Sequence, residues 1–219
     1  LAPPPSSASD PTAARRLARA AQALHRAGAR RLLLREPALP PHTLQPLVHR
    51  LTKLYGTDNL LLHCKTPGAL GLARRMRLPL HLSSTVDWAA VRRAHDGPLG
   101  VSVHSRAEVR KAADLGMQWV FLSPLARPTS KPLDTRPTLG ENAIVRAQRD
   151  VPSLAVYALG GVTPASATRL IRRGVSGVAV LGGVWTAAVG GGAGLNGGAV
   201  AEFVAAVELA QLKEEEGPR

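Results

Sequence analysis

Tyr157-Ala-Leu-Gly160-Gly161-Val-Thr-Pro164 and, one helix later, Gly177-Val-Ala-Val-Leu-Gly182-Gly183 decide how this 219-residue chain is read. Each half is a short apolar run closed by a glycine pair, Leu154 to Leu159 in the first and Val178 to Leu181 in the second. Such runs are of the buried-strand type. Glycine pairs at strand ends let the backbone approach a ligand closely and leave N–H groups free to point at an anion. Small and apolar residues after the second pair lead into a short helical turn, whose N-terminal partial charge adds to that preference. Two such loops after consecutive strands match the phosphate site of a (β/α)8 barrel, which follows its seventh and eighth strands. Gly160, Gly161, Gly182 and Gly183 are therefore candidate phosphate-binding residues.

Upstream of this stretch, strand and helix patterns alternate at intervals of roughly 20–25 residues. Strands are expected at Arg31 to Leu34, Asn59 to Cys64, Leu78 to Ser84, Leu99 to Ser105 and Trp119 to Ser123. Helices are expected at Thr12 to Ala27, Thr43 to Tyr55, Thr66 to Met76, Val86 to Ala94, Arg106 to Leu115 and Leu139 to Arg149. Further helices follow at Pro164 to Arg173 and at about Ala199 to Lys213. Asp10-Pro11 reads as an N-cap and first-turn proline, and Ser105 with Glu108 as a capping box. Strict alternation implies parallel strands joined by right-handed crossovers. Seven good strands are legible; the one missing from eight would precede the first helix, where only Leu1-Ala2 remain. The expectation is one (β/α)8 TIM barrel domain over residues 1–219, its first strand truncated or short. Residues 1–10 are expected to form an irregular N-terminal segment and 214–219 a frayed tail. A doubly wound open sheet is the alternative, but it lacks a Gly-rich loop after its first strand.

Lys and Arg number 28 against 15 Asp and Glu, a net charge of +13. The arginines are spread over nearly every helix, with no aromatic interleaving and no zinc-finger spacing, so no nucleic-acid partner is expected. The excess instead attracts phosphorylated small molecules at long range. The single cysteine, Cys64, excludes an intrachain disulfide framework. The uncharged stretch from Gly174 to Ala201 is too broken by glycine and polar residues for a membrane span. A cytoplasmic protein is expected, with a homo-oligomer left open.

Three segments make the chain recognisable: Gly100-Val-Ser102-Val-His104-Ser105, Ser123-Pro124-Leu-Ala-Arg-Pro128-Thr129-Ser130-Lys131-Pro132, and Ala158-Leu-Gly160-Gly161-Val-Thr-Pro164. They resemble the G-V-S-x-H-S, G-P-[IV]-[FY]-P-T-x-[ST]-K and A-[IL]-G-G-[IV] motifs of the thiamine phosphate synthase / TenI superfamily, and the likeness covers Arg31 to Val184. It implies a (β/α)8 protein of thiamine biosynthesis. The synthase type joins an aminopyrimidine diphosphate to a thiazole phosphate with magnesium on the diphosphate. The TenI type moves a proton to aromatise a thiazole phosphate carboxylate, without metal. By the same resemblance Lys131, Thr129 and Ser130 would contact phosphate, Ser102 would contact substrate or be a satisfied strand hydroxyl, and Arg35 would pair with a ligand carboxylate or pack and ion-pair at the barrel rim.

Departures from the family pattern separate the two types. Where the synthase has Q-L-R-E-K, this chain has Leu33-Leu34-Arg35-Glu36-Pro37. Its two metal aspartates fall on Cys64 and Val86, with Asp87 one place late. Magnesium wants carboxylate oxygens in near-octahedral geometry, which cysteine and valine cannot supply. No metal and no cofactor are therefore expected, magnesium belonging only to the synthase alternative; zinc on the strand-end histidines lacks a carboxylate partner. The TenI histidine at the end of strand six falls on Pro124, beside Ser123. His104, His63 and Cys64 are substitutes, His104 first as the catalytic acid/base; His81 reads as structural. His63 and Cys64 are adjacent on a strand and point to opposite faces. The leading expectation is a TenI-like protein that binds a small phosphorylated thiazole and shifts a proton. The alternatives are a degenerate phosphate-binding member acting as a regulatory or interaction protein, and a true synthase.

Overall fold

The computed structural model describes residues 12–35, 39–64, 67–127, 135–187 and 193–215. Helices α1 (Ala13–Arg26), α2 (Pro41–Tyr55), α3 (Pro67–Met76), α4 (Trp88–Ala94), α5 (Arg106–Asp114), α6 (Gly140–Asp150) and α7 (Pro164–Ile171) alternate with strands β1 (Leu32–Leu34), β2 (Leu60–Cys64), β3 (Leu80–Leu82), β4 (Leu99–Val103), β5 (Trp119–Leu122), β6 (Ala155–Leu159) and β7 (Gly177–Ala179). A 3₁₀ turn (Gly182–Val184), a hairpin of β8 (Trp185–Ala187) and β9 (Ala193–Leu195), and helix α8 (Gly197–Glu215) complete the order. The seven parallel strands lie side by side from β1 to β7 without a reversal. That order belongs to a curled barrel wall; a doubly wound sheet would reverse at a switch point. The TIM-type fold is therefore as expected, with seven wall strands among the described residues, and the stretch anticipated for a first strand lies outside them. A long-range contact crosses the curl: Arg31 Nη1, just before β1, donates to the Tyr157 hydroxyl of β6 at 2.9 Å.

Alternation along the strands divides the core in two. Outward-facing residues such as Leu34, Leu62, Leu82, Val101, Leu122 and Val156 are 0–2% exposed beneath the helices. Their removal from water, at about 25 cal/mol per Å2, is the main driving force for closing the helical layer. Cys64 shares this outer face and packs among aliphatic side chains, where burial raises its thiol pKa. The inner face carries aromatic rings. The chain has only three tryptophans, two tyrosines and two phenylalanines, yet Trp119, Phe121 and Tyr157 all stand on the inner face of β5 and β6. Two glycines make room for them. A Cβ on Gly100, paired with Trp119 across the ladder, would lie 2.1 Å from the indole; one on Gly177, paired with Tyr157, would lie 2.7 Å from the phenol ring.

Element boundaries shift for local reasons. Helix α2 begins at Pro41, two residues before the expected start, because a proline at the first position forfeits no helical hydrogen bond. The N-cap position of α1 falls on Thr12 rather than Asp10, which lies outside the described residues. Ser105 Oγ accepts from Glu108 N as a cap should, but the Glu108 carboxylate reaches past Ser105 to the backbone N–H of His104. The reciprocal half of the expected box thus anchors a candidate site residue. Thr163 and Ser166 form a complete capping box on α7, and Asp87 caps α4 through Ala90 N. Helix α8 continues to Glu215, two residues beyond the expected end. The β8–β9 hairpin went unanticipated, since a Gly-rich run between three-residue strands carries no periodicity.

Several arginines are engaged between helices. Arg106 and Arg110 of α5 meet Asp150 at the end of α6, and Arg169 and Arg173 meet Glu141. These pairs are solvated and each contributes little. Gln148 is the more consequential polar group: buried, it donates to Leu154 O at 2.9 Å and accepts from Val156 N at 3.0 Å and from Ser176 Oγ at 2.7 Å, tying α6 to the entrances of β6 and β7.

Gly100→Ala is expected to destabilise the fold by about 2–3 kcal/mol, as overpacking against a rigid ring does. The cost should be largely relieved in a Trp119→Ala background. Urea midpoints of the two singles and the double variant check this, and an equal cost in both backgrounds would refute the pairing.

Candidate active site at the strand ends

Parallel strands put all their C-terminal ends on one rim, so residues far apart in sequence share it. Arg35 follows β1, His104 follows β4, Ser123 and Pro124 follow β5, Gly160 and Gly161 follow β6, and Gly182 and Gly183 follow β7.

His104 and the segment after β5 form the centre of this rim. The His104 backbone is held by Glu108, and its Nδ1 lies 2.9 Å from Ser123 O and 3.2 Å from Ser123 Oγ. A carbonyl can only accept, so in the neutral ring Nδ1 carries the proton and Nε2 the lone pair. Arg136 Nη1 stands 3.0 Å from Nε2 and 2.9 Å from Nδ1. Nearly equidistant from the two ring nitrogens, the guanidinium lies against the imidazole ring rather than in line with either nitrogen.

The Ser123–Pro124 peptide is cis, and the chain beyond it runs against the first glycine pair: Leu125 N donates to Leu159 O at 2.9 Å and Ala126 N to Gly160 O at 3.0 Å. Gly160 and Gly161 have φ of +85° and +67°, in the left-handed region that favours glycine. A Cβ on Gly161 would sit 2.7 Å from the Ala126 carbonyl. Backbone conformation and close packing thus demand glycine here in their own right. Gly183 differs. Its φ lies outside that region, and an added Cβ would make only ordinary contact with Phe203, at 3.5 Å. Nothing in the described packing demands glycine at 183.

The remaining sequence candidates divide. Ser102 stands deeper, on the inner face of β4, with Oγ 2.9 Å from His81 Nε2. Arg35 is exposed, and no hydrogen bond among the described residues joins it to the His104 cluster. Lys131, Thr129 and Ser130 lie outside the described residues. His63 faces inward, 6.4 Å from the His81 ring, while Cys64 faces the helices, as alternation requires. Two features went unseen in the sequence. Arg136 was one arginine among many, and the chain from Trp119 through His81 to Ser102 joins three strands, which no spacing reveals.

The described donor set does not fit magnesium. Cys64 is turned into the aliphatic layer, and Asp87, the carboxylate nearest the family position, caps α4. No group of three or more His, Cys, Asp or Glu side chains converges among the described residues. A surface concavity of about 490 Å3 runs along α2, but its lining residues, among them His42, His49, Arg50 and Lys53, are one helix's solvent face. No helix among the described residues is long and apolar enough to cross a membrane.

A family model described as thiamine monophosphate synthase matches residues 6–184. The chain belongs to the thiamine monophosphate synthase family. Among its relatives are the thiamine-phosphate synthases of Lysinibacillus sphaericus, 37% identical over 83 residues, and Bacillus licheniformis, 32% identical over 111 residues. The matches cover 38% and 50% of this chain, and 38% and 49% of those two proteins, so they span half or less of each relative's length. Among solved structures, the thiamine phosphate pyrophosphorylase from Pyrococcus furiosus superposes with a TM-score of 0.71 at 19% identity, covering 90% of this chain and 93% of its own. At that identity the likeness concerns the fold.

Two histidines make folding stability pH-dependent. His81 is fully buried, and burial, aided by nearby His63, holds its pKa down to about 3; burial and Arg92 lower that of His95. His81 stays neutral in the folded protein over this range and His95 takes up a proton less readily there, whereas in the unfolded chain each takes one up below about 6.5. Stability is therefore full above pH 6.5 and falls as the pH drops. His81 alone contributes roughly a tenfold loss in the folding equilibrium per pH unit below that point. Urea melts between pH 7 and pH 4.5, above the main carboxylate range, should show this slope, and His81→Leu should flatten it whatever its absolute stability. An unchanged slope in that variant would refute the assignment.

Proposed function

We propose that this protein binds a small phosphorylated thiazole at the barrel mouth and shifts a proton on it without a metal, as the TenI type does. The observation that carries the reading is the position of His104. The resemblance puts the proton-shuttling histidine at Pro124, and the His104 imidazole hydrogen-bonds Ser123, its immediate neighbour. A histidine from the end of β4 thus supplies an imidazole at the end of β5, with Nδ1 anchored on Ser123. The glycine turns after β6 and β7 are the phosphate end of the site. Gly183 supports this, because a glycine that packing does not require leaves its backbone N–H approachable. Arg136 is a cation set against the proposed base; an anionic ligand competes for it, and its departure uncovers the ring. The synthase reading is disfavoured by the donor set, in which the carboxylates for magnesium are absent or committed elsewhere.

A second reading, a binding protein without turnover, is favoured by one observation, the guanidinium held against the His104 ring. Two measurements separate them. Thiazole phosphate carboxylate is expected to raise the melting temperature with no dependence on magnesium, since it binds only the folded form. His104→Gln is expected to keep that shift and lose tautomerisation by at least about a hundredfold, the usual scale of general acid–base catalysis. Binding without turnover in the wild type would establish the second reading, and a magnesium-dependent shift would restore the synthase.

The glycines offer an independent check. Gly161→Ala is expected to cost about 2 kcal/mol or more through its positive φ and the Ala126 carbonyl. Gly183→Ala is expected to leave stability nearly unchanged while weakening inorganic phosphate binding severalfold. Undiminished phosphate binding in Gly183→Ala would remove this turn from the site.

A further inference from the structure

Trp119 Nε1 lies 3.0 Å from His81 Nδ1, and His81 Nε2 lies 2.9 Å from Ser102 Oγ. An indole nitrogen can only donate, so His81 Nδ1 is the acceptor and holds the lone pair. The ring's one proton is then on Nε2, and Nε2–H donates to Ser102 Oγ. A doubly protonated ring would turn an N–H against the indole N–H. Full burial opposes that charge as well, consistent with the depressed pKa of His81. The direction of both hydrogen bonds follows from one irreversible donor at the end of the chain.

That direction has a consequence for Ser102. A serine whose oxygen accepts from a fixed neighbour has its own hydrogen left to give. Among the described residues Ser102 Oγ makes this one hydrogen bond, so no protein group is recorded as taking that hydrogen. Ser102 is half-buried on the inner face of β4, in register with Phe121. The Phe121 ring lies 4.2 Å from the His81 ring and meets Tyr157 edge-on at 5.9 Å, an aromatic wall beside the hydroxyl.

We propose that Trp119 and His81 are positioning residues that fix Ser102 as an obligate hydrogen-bond donor inside the barrel. The ligand class selected is a planar ring that presents an acceptor, a ring nitrogen or a carboxylate oxygen, to Ser102. An isostere that presents a donor there is rejected, because two hydrogens would meet. The ligand half of this proposal rests on the reading of the barrel mouth as the binding site; the hydrogen-bond direction does not.

Side-chain 15N NMR of the ligand-free protein near neutral pH tests the direction. The expected signature is His81 protonated on Nε2 alone; a proton on Nδ1 overturns the proposal whatever the protein binds. Calorimetric titration with thiazole phosphate carboxylate and, separately, inorganic phosphate tests the ligand half. Ser102→Ala, His81→Leu and Trp119→Phe are each expected to weaken the thiazole compound roughly tenfold, the worth of one hydrogen bond. Inorganic phosphate should bind as before. Trp119→Phe keeps an aromatic ring in the space beside Gly100, so it reports on the hydrogen bond if His81→Leu folds poorly. His81→Gln, whose amide nitrogen donates to Oγ, should recover part of the affinity. In the Ser102→Ala background His81→Leu should add nothing further. Additive losses, or equal losses for both ligands, mean that His81 is merely structural and overturn the proposal. A wild-type protein that binds inorganic phosphate but not the thiazole compound overturns the ligand half alone, and one that binds neither defeats the proposed function with it.

Discussion

The indole of Trp119 fills the space that Gly100 leaves on the neighbouring strand, and much of the barrel interior is arranged around that fit. The wall is thin, three to five residues per strand, and the interior is narrow. A large ring on β5 is possible only because β4 offers no side chain opposite it. Once seated, the ring's single polar atom must find an acceptor, and His81 Nδ1 is there. Its other nitrogen is thereby committed to Ser102, and Phe121 lies against the imidazole. A steric constraint at one pair of residues thus propagates as a chain of directed hydrogen bonds across three strands. Gly177 and Tyr157 repeat the device on β7 and β6, where Arg31 reaches across the curl to the phenol oxygen.

The division of labour between the two faces of the strands follows from solvent. The outer face is aliphatic and dry, closed by the helices, and contributes the bulk of the folding free energy. The inner face holds a polar chain that is buried at Trp119 and His81 and reaches partial exposure at Ser102. Polar chemistry is affordable there because each buried polar atom in the Trp119–His81–Ser102 chain has a partner, so the desolvation cost is met. On the rim the same economy appears in backbone form. Glu108, which caps α5, holds the His104 backbone, and the segment from Ser123 to Ala126 both receives the His104 ring and packs on Gly160 and Gly161. The candidate base and the first glycine turn are therefore mechanically one unit.

Much of the fold was legible because its signals are local. Apolar runs of strand length, glycine or capping residues at their ends and amphipathic helices between them identify the alternation, and alternation with short connections leaves a parallel curled wall as the economical solution. The strand-end position of Gly160, Gly161 and His104 followed directly, since the C-terminal ends of parallel strands form one edge. Where local chemistry was subtler the boundaries moved. Glu108 passed over Ser105 to hold His104, and a Gly-rich hairpin formed with no periodic pattern to announce it.

The site itself was legible only as a set of addresses. That His63 and Cys64 diverge, and that the second metal carboxylate is missing, could be settled from residue type and strand period alone, because those depend on neighbours in the chain. That His104 lands on Ser123, that Arg136 lies against its ring, and that His81 takes one hydrogen bond and hands on another required the tertiary structure. Each of these joins residues 19 to 38 positions apart. A hydrogen bond acts over about 3 Å, and only the curl of the wall brings such groups within that reach.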